Sequence, residues 1–359
     1  MKEPNFDRLL LVLLREGEPD RVPFYEHFVD DEVIEAITGR PITKIDPLKR
    51  LRSREYLQIL IEFYYKMGYD YVPLEVPLKL PRKNVLFAED TAILSRERRS
   101  WLGEDFGTIE SMEDFEEYPW PEPEEAADLW CFEFLARHLP EGMEIVGGVG
   151  GGILEHVVWL MGFTPFFRAL YRDPKLVQKM FDRIGSLILS VDKVIAEMDR
   201  IGALRMGDDM GYRKGTFISP EMLRKYVFPW QKKCVEVAHR KGLPFILHSC
   251  GNLEAIMDDL INYVGIDAKH SFEDAIMPVY EAKERYGDKI AILGGVDVDK
   301  LARLPERELR EYVRLVIRKC APGGGYALGS GNTIANYIPP RNYLAMLEEG
   351  RKYGRYPLR

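Results

Sequence analysis

Pro244-Phe245-Ile246-Leu247-His248-Ser249-Cys250-Gly251-Asn252 runs from an apolar segment of strand length into a polar, glycine-containing turn, with a His-x-Cys pair at the break. Alternate residues of a strand point to the same side, so His248 and Cys250 can converge on one point. An imidazole and a thiol converging beside a strand end make half of a zinc site, or an acid/base beside a nucleophile. The pair also fits a buried histidine and an inert packed thiol, since cysteine is among the most buried residue types.

Working outward, the same unit recurs. Apolar runs of strand length lie at residues 21–28, 70–76, 144–151, 203–211, 244–250, 266–272, 289–298 and 325–332. Between the later ones the pattern becomes helical, at 219–241, 253–264, 278–286 and 306–319. Ser219-Pro220-Glu221 is a good helix start, with proline at the first helical position. Helices recurring between buried strands predict parallel βα units, and eight of them predict an α/β fold, a single (β/α)8 TIM barrel over residues 1–359. An open doubly wound sheet is the alternative, because periodicity does not report closure. Residues 78–125 break the rhythm with two short expected strands (85–87 and 92–94), charged turns and Tyr118-Pro-Trp-Pro-Glu-Pro. They read as an insertion after the second strand near the barrel mouth, either a lid or a structural flap.

The composition narrows the function classes. A chain of 359 residues, 46% hydrophobic, can bury a barrel-sized core. It has no run of eighteen apolar residues and no basic start followed by an apolar stretch, so neither a membrane span nor a secretory leader is expected. A net charge of −8 argues against nucleic acid as partner. Four cysteines (131, 234, 250 and 320) do not make a disulfide framework, which fits a reducing cytoplasm.

In a (β/α)8 barrel the functional groups collect where the strands end. Here those ends carry Glu26 and His27, then Glu75, then Gly147-Gly-Val-Gly-Gly-Gly followed by Glu155 and His156. Next come Asp208, Asp209 and Tyr212, then His248 and Cys250, Lys269 and His270, Asp297, and finally Ser330 and Asn332. Four of the six histidines fall at these ends, and buried charge needs a partner or a ligand. The mouth therefore implies a metal, a polar or cationic small-molecule substrate, or both. Asp208, Asp297, His270 and Glu26 are the catalytic candidates. His27, Glu75, Glu155, Tyr212 and Asn332 are candidates for substrate or cofactor binding, and His248 and Cys250 for a metal. Asp208 and Asp209 face opposite ways on a strand, so one of them enters the mouth while the other caps a helix or forms a salt bridge. Asp297 is expected to orient His248, bind substrate or cap the next helix. The glycine run can present N–H groups to an anion but lacks the spacing of a nucleotide loop. Cys320 ends a helix at the opposite rim, and Cys131 and Cys234 read as helix packing.

These residues also carry a resemblance. Gly17-Glu-Pro-Asp-Arg-Val-Pro, Ser219-Pro-Glu, Phe228-Pro-Trp-Gln-Lys-Lys, Leu247-His-Ser-Cys-Gly-Asn, Gly294-Gly-Val-Asp, Pro322-Gly-Gly-Gly-Tyr-Ala-Leu-Gly-Ser-Gly-Asn and Ile338-Pro-Pro-Arg-Asn-Tyr-Leu-Ala-Met resemble the uroporphyrinogen decarboxylase superfamily. That superfamily also contains zinc-dependent methyltransferases that work with corrinoid proteins. The likeness spans nearly the whole chain and implies one barrel, often a homodimer. The decarboxylases hold their acidic tetrapyrrole with an arginine pair just after the first strand, where this chain has Phe24-Tyr-Glu-His-Phe-Val-Asp-Asp-Glu. Acids there would repel a polycarboxylate, and Asn332 stands where the decarboxylases carry a histidine, so the resemblance argues against uroporphyrinogen as substrate. The methyltransferase branch binds zinc through His-x-Cys and a later cysteine. His248 and Cys250 match the first two ligands, and Asn332 replaces the third. Asp208, Asp209, Asp297 or His270 could complete the set.

Three functions follow as expectations. The first is a zinc-assisted methyltransferase, moving a methyl group between a corrinoid carried by a partner protein and a small thiol or other acceptor. The second is a decarboxylase or lyase using metal-free acid/base chemistry on a polar molecule. The third is a non-catalytic ligand-binding barrel.

Overall fold

Tyr71–Val76, Glu144–Val149, Ile201–Gly207, Phe245–His248, Ala268–His270, Ala291–Leu293 and Tyr326–Ala327 lie side by side in chain order in one sheet. Every neighbouring pair is parallel. The computed structural model describes residues 3–96 and 98–358. Among these, seven strands with helices in the crossovers form a curled parallel sheet of TIM-like architecture. The strands are short and buried, as expected where helices cover a parallel sheet.

The first expected strand is a correction. Residues 21–28 form no strand and touch the sheet through one parallel bridge, Phe24 to Leu328. Leu328 N–H donates to the Pro23 carbonyl (2.9 Å) and Tyr25 N–H to the Leu328 carbonyl (2.8 Å). Toward the strand Tyr71–Val76 the link is a side chain. The Tyr71 hydroxyl accepts from Glu26 N–H (2.8 Å) and donates to the Glu26 carbonyl (2.7 Å). Pro23 has no N–H to give, so a ladder running through this segment would be broken.

Residues 78–125 contain an antiparallel pair, Val85–Glu89 with Arg98–Leu102. The strand expected at 92–94 is instead a turn. Asp90 takes the N–H groups of Ala92 (3.2 Å) and Arg96 (3.0 Å) that a ladder would have used. Asn336, beyond the last strand, holds this turn through Asp90 (2.7 Å) and the Leu94 carbonyl (2.9 Å). The helix expected over 219–241 is two, Pro220–Tyr226 and Phe228–Arg240, with Pro229 opening the second. The segment expected as one helix over 253–264 is a short 3-10 turn, a helical turn and a π-helix, Leu260–Val264.

Among the described residues no single helix is long and apolar enough to cross a membrane. The four cysteines are unpaired, and Cys131, Cys234 and Cys320 are buried within helices, as their sequence context predicts.

Candidate active site

The site follows from register. Gly207, His248 and His270 are partners across three adjacent parallel strands, so their side-chain positions share one face. His248 and His270 therefore meet, Nδ1 to Nδ1 at 2.8 Å. Gly207 has no side chain, and His27 fills the space beside it. A Cβ on Gly207 would lie 3.7 Å from His27 Nε2. From there the His27 ring stacks flat on His248, with centroids 4.0 Å apart and planes at 14°.

Cys250 follows two residues later. Its Sγ lies 3.5 Å from His248 Nε2 and 3.7 Å from Ser271 Oγ, and the Asn332 amide donates to it at 3.2 Å. Asp209 takes the Cys250 N–H (2.8 Å) and stands 3.8 Å from His248 Nε2. Of the two adjacent acids, Asp209 thus enters the mouth. Asp208 is buried beneath it, accepting from Leu154 N–H (2.9 Å), Glu155 N–H (3.2 Å) and Gln231 (2.8 Å). The acceptor presented to the end of the glycine run is therefore internal. A Cβ on Gly152 would strike Asp208 at 2.2 Å, so only glycine admits this approach.

Burial sets the protonation states. It holds His248 well below the ordinary histidine range, helped by nearby His270, Lys269 and Arg205, and lowers His270 to about 3. Burial, with the charge of Asp209, pushes the Cys250 thiol up to about 12. A neutral imidazole beside a neutral thiol is not the ion pair of a cysteine nucleophile. It is a donor set that a metal ion would deprotonate at sulfur and accept unchanged at nitrogen.

Two groups of donors lie close enough to be weighed as metal sites, Asp209 with His248 and Cys250, and His27 with His248 and His270. The second fails on geometry, because lone pairs lie in ring planes and the planes of His27 and His248 are nearly parallel. The first converges from the loop ends and combines one nitrogen, one sulfur and one carboxylate oxygen, a set that suits zinc and leaves a position for substrate.

The remaining candidates fall elsewhere. Glu26 is buried against Ser330, taking its N–H at 2.8 Å, and burial raises its carboxyl to about 8. Glu75 pairs with buried Arg205 (2.9 Å) and lies 3.8 Å from His27. Asp297 caps the helix Val298–Arg303 through Lys300 N–H (3.0 Å) and takes Asp274 N–H (2.9 Å), so both oxygens are engaged away from His248. His156 binds the Gly150 carbonyl (3.1 Å), and Glu155 turns back onto Gly152 N–H (3.2 Å). Tyr212 is exposed on a small hairpin, stacked on Phe217. Lys269 faces away from His270, bonded to the Ser271 (2.6 Å) and Ser249 (3.3 Å) carbonyls. Arg205 and Ser330 were not singled out as chemistry. Arg205 is a lone charge in a wholly buried strand, which is a readable signal, and Ser330 is readable as a polar residue at a strand end. A cleft of about 1350 Å³ opens between the helix Asp31–Thr38 and the hairpin formed by Val85–Glu89 and Arg98–Leu102, reaching Phe28, Glu75, Gly150 and Thr333.

Comparison with known proteins agrees with this architecture. The family profile described as uroporphyrinogen decarboxylase (URO-D) matches residues 106–353. The uroporphyrinogen decarboxylase of Mannheimia succiniciproducens is 22% identical over 264 residues, covering 69% of this chain and 70% of that one. That of Pseudoalteromonas atlantica is 24% identical over 260 residues, covering 68% and 69%. Among solved structures, a methyltransferase from Methanosarcina mazei superposes with a TM-score of 0.70 at 17% identity, over 98% of this chain and 99% of that one. At that identity the likeness is one of fold.

Proposed function

This chain belongs to the uroporphyrinogen decarboxylase (URO-D) family, and we propose that it works as a zinc-assisted methyltransferase, moving a methyl group between a corrinoid carrier and a small thiol or related acceptor. The observation that carries this reading is the convergence of His248 Nε2, Cys250 Sγ and Asp209 Oδ1 at the strand ends. Zinc held there would supply the positive charge that keeps a thiol acceptor in its nucleophilic anionic form at neutral pH. A corrinoid carried by a partner protein would supply or receive the methyl group.

The chain's own residues do the rest. Asp209 supplies the oxygen donor in place of the later cysteine of the methyltransferase branch and pins the Cys250 loop through its N–H. Asn332 donates to the Cys250 sulfur and tempers the charge of its thiolate. The cleft lined by Glu75 and by Thr333, the residue after Asn332, is where the acceptor would enter. In this reading residues 21–28 act as the eighth stave of a closed barrel, residues 78–125 as the insertion over its mouth, and residues 1–359 as one domain. Four unpaired thiols support a reducing, cytoplasmic setting.

The competing reading is metal-free acid/base chemistry, a decarboxylation or lyase step on a polar molecule. Glu155 favours it, because burial and the nearby charges of Asp209 and Asp208 hold its carboxyl well above the usual range, leaving a proton to donate. Metal analysis of untagged protein separates the two. Near-stoichiometric zinc, lost in Cys250→Ala, with methyl transfer from methylcobalamin to a thiol panel under anaerobic conditions, is the expected result. Protein that takes up no zinc when offered it and transfers no methyl group to any thiol overturns the methyltransferase reading.

A further inference from the structure

A neutral imidazole carries one N–H, so an acceptor beside one of two touching buried rings fixes the proton position on both. His270 Nε2 lies 3.1 Å from the Ser330 carbonyl. A carbonyl only accepts, so the proton is on His270 Nε2 and the Nδ1 of that neutral ring is bare. His270 Nδ1 and His248 Nδ1 are 2.8 Å apart, which requires one proton between them, and His248 must hold it. His248 Nε2 is then the bare nitrogen, and it is the one that faces Cys250 and Asp209.

We infer that His270 is a positioning residue that holds His248 as its Nδ1–H tautomer, with the Nε2 lone pair aimed at Cys250 and Asp209. The arrangement reaches further back. Ser330 is itself held by Glu26, which accepts from its backbone N–H (2.8 Å) and hydrogen-bonds its hydroxyl. Glu26 is held in turn by the Tyr71 hydroxyl at both its backbone groups. The line Tyr71, Glu26, Ser330, His270, His248 thus crosses the seam where residues 21–28 replace a strand, tying the sheet edge to the orientation of one imidazole.

A second observation points the same way. Gly294 has φ +74°, and a Cβ there would lie 2.2 Å from the Ser330 oxygen and 2.8 Å from His270 Nε2. Any side chain would wedge apart the donor and acceptor on which the assignment rests. The first glycine of Gly294-Gly295-Val296-Asp297 therefore leaves room for this hydrogen bond, a role separate from the helix cap at Asp297.

The tautomer is a property of the chain, while its use to hold a metal rests on the function proposed above. Histidine-selective 15N labelling of the metal-free protein, with His248 assigned by His248→Gln, reads the tautomer directly from the two ring nitrogens. The wild type is expected to show a protonated Nδ1 and a bare Nε2 at His248. In His270→Phe the Nδ1–H preference is lost and zinc affinity falls by about 10- to 100-fold, the usual effect of removing the partner that orients a ligating histidine. His270→Asn, which can offer an acceptor oxygen at the Nδ1 position, restores both. A wild-type His248 protonated on Nε2 overturns the inference, as does a folded His270→Phe that keeps the Nδ1–H form. If His270→Phe does not fold, the wild-type and His270→Asn spectra still decide the tautomer. The expected tautomer in a protein that takes up no zinc supports the inference and counts against the proposed function instead.

Discussion

The Asn332 amide nitrogen lies 3.2 Å from the Cys250 sulfur, so Asn332 acts as a hydrogen-bond donor to a proposed metal ligand. Asn332→Ala is expected to weaken zinc binding by about 10-fold, as loss of an outer contact to a ligand does. Asn332→Cys is expected to tighten it and to add a second sulfur-to-metal charge-transfer contribution in the cobalt(II)-substituted protein. Chelator competition and the cobalt spectrum measure these two effects. An Asn332→Cys spectrum unchanged from wild type would place position 332 outside the metal's reach.

Metal uptake should release a proton. Burial and Asp209 hold the Cys250 thiol at about 12, so it carries its proton at neutral pH and must lose it to bind. His248, held well below the histidine range, has none to lose from its ligating nitrogen. Calorimetry in buffers of different ionisation enthalpy should therefore give about one proton released per zinc. A value near zero would remove Cys250 from the ligand set.

Arg205 is 1% exposed, its guanidinium forms an ion pair with the Glu75 carboxylate at 2.9 Å, and it donates a hydrogen bond of 2.7 Å to the His27 carbonyl. Removing one member of such a pair strands the other charge in the interior. Arg205→Met is expected to cost about 3–5 kcal/mol in denaturant unfolding, and Arg205→Met with Glu75→Leu to recover much of it. Additive losses in the double variant would show that the two side chains do not act as a pair.

Asp192 lies buried beside Cys234, with one carboxylate oxygen lacking a partner, and burial raises its carboxyl to about 7. The folded state then holds a proton that the unfolded chain has already released above the ordinary Asp value of 3.8. The stability this supplies is complete below about 4 and is lost as pH rises toward about 7, with a slope of up to about 1.4 kcal/mol per pH unit. Glu26 and Asp208, raised to about 8 and about 7, act with the same sign. Asp192→Asn should flatten the stability profile between pH 4 and 7, and an unaltered slope would count against a protonated Asp192.

Asn336 holds the turn between Val85–Glu89 and Arg98–Leu102 through its amide contacts to Asp90 and the Leu94 carbonyl. Asn336→Ala should raise hydrogen exchange across residues 85–102 by about 10-fold while the strand Phe245–His248 stays protected, as expected for local opening. Exchange rising equally in both would mean that the contact supports the whole fold.

Much of this was legible in the chain. Apolar runs ending in polar turns mark the seven sheet strands but also residues 21–28, which form none, and His-x-Cys at the end of one strand marks the candidate site, because alternation along a strand is a property of the local backbone. The apolar pattern at 92–94 predicts a strand where the chain turns, because Asp90 captures backbone N–H groups that such a pattern assigns to a ladder. Of the adjacent acids, alternation alone required one inside and one outside, but not which.

What the sequence by itself determined is the order of strands and helices, the polar character of the strand ends, and the pairing of His248 with Cys250 two residues apart. Only the tertiary structure decided that Asp209 rather than Asp208 faces that pair, that His27 lies flat on His248 where it cannot share a metal, and that His270 meets His248 at Nδ1. Each of those depends on inter-strand register and on which helix end or neighbouring ring competes for the same group. These are distances between residues 20 to more than 200 positions apart, which local patterning along a chain does not encode.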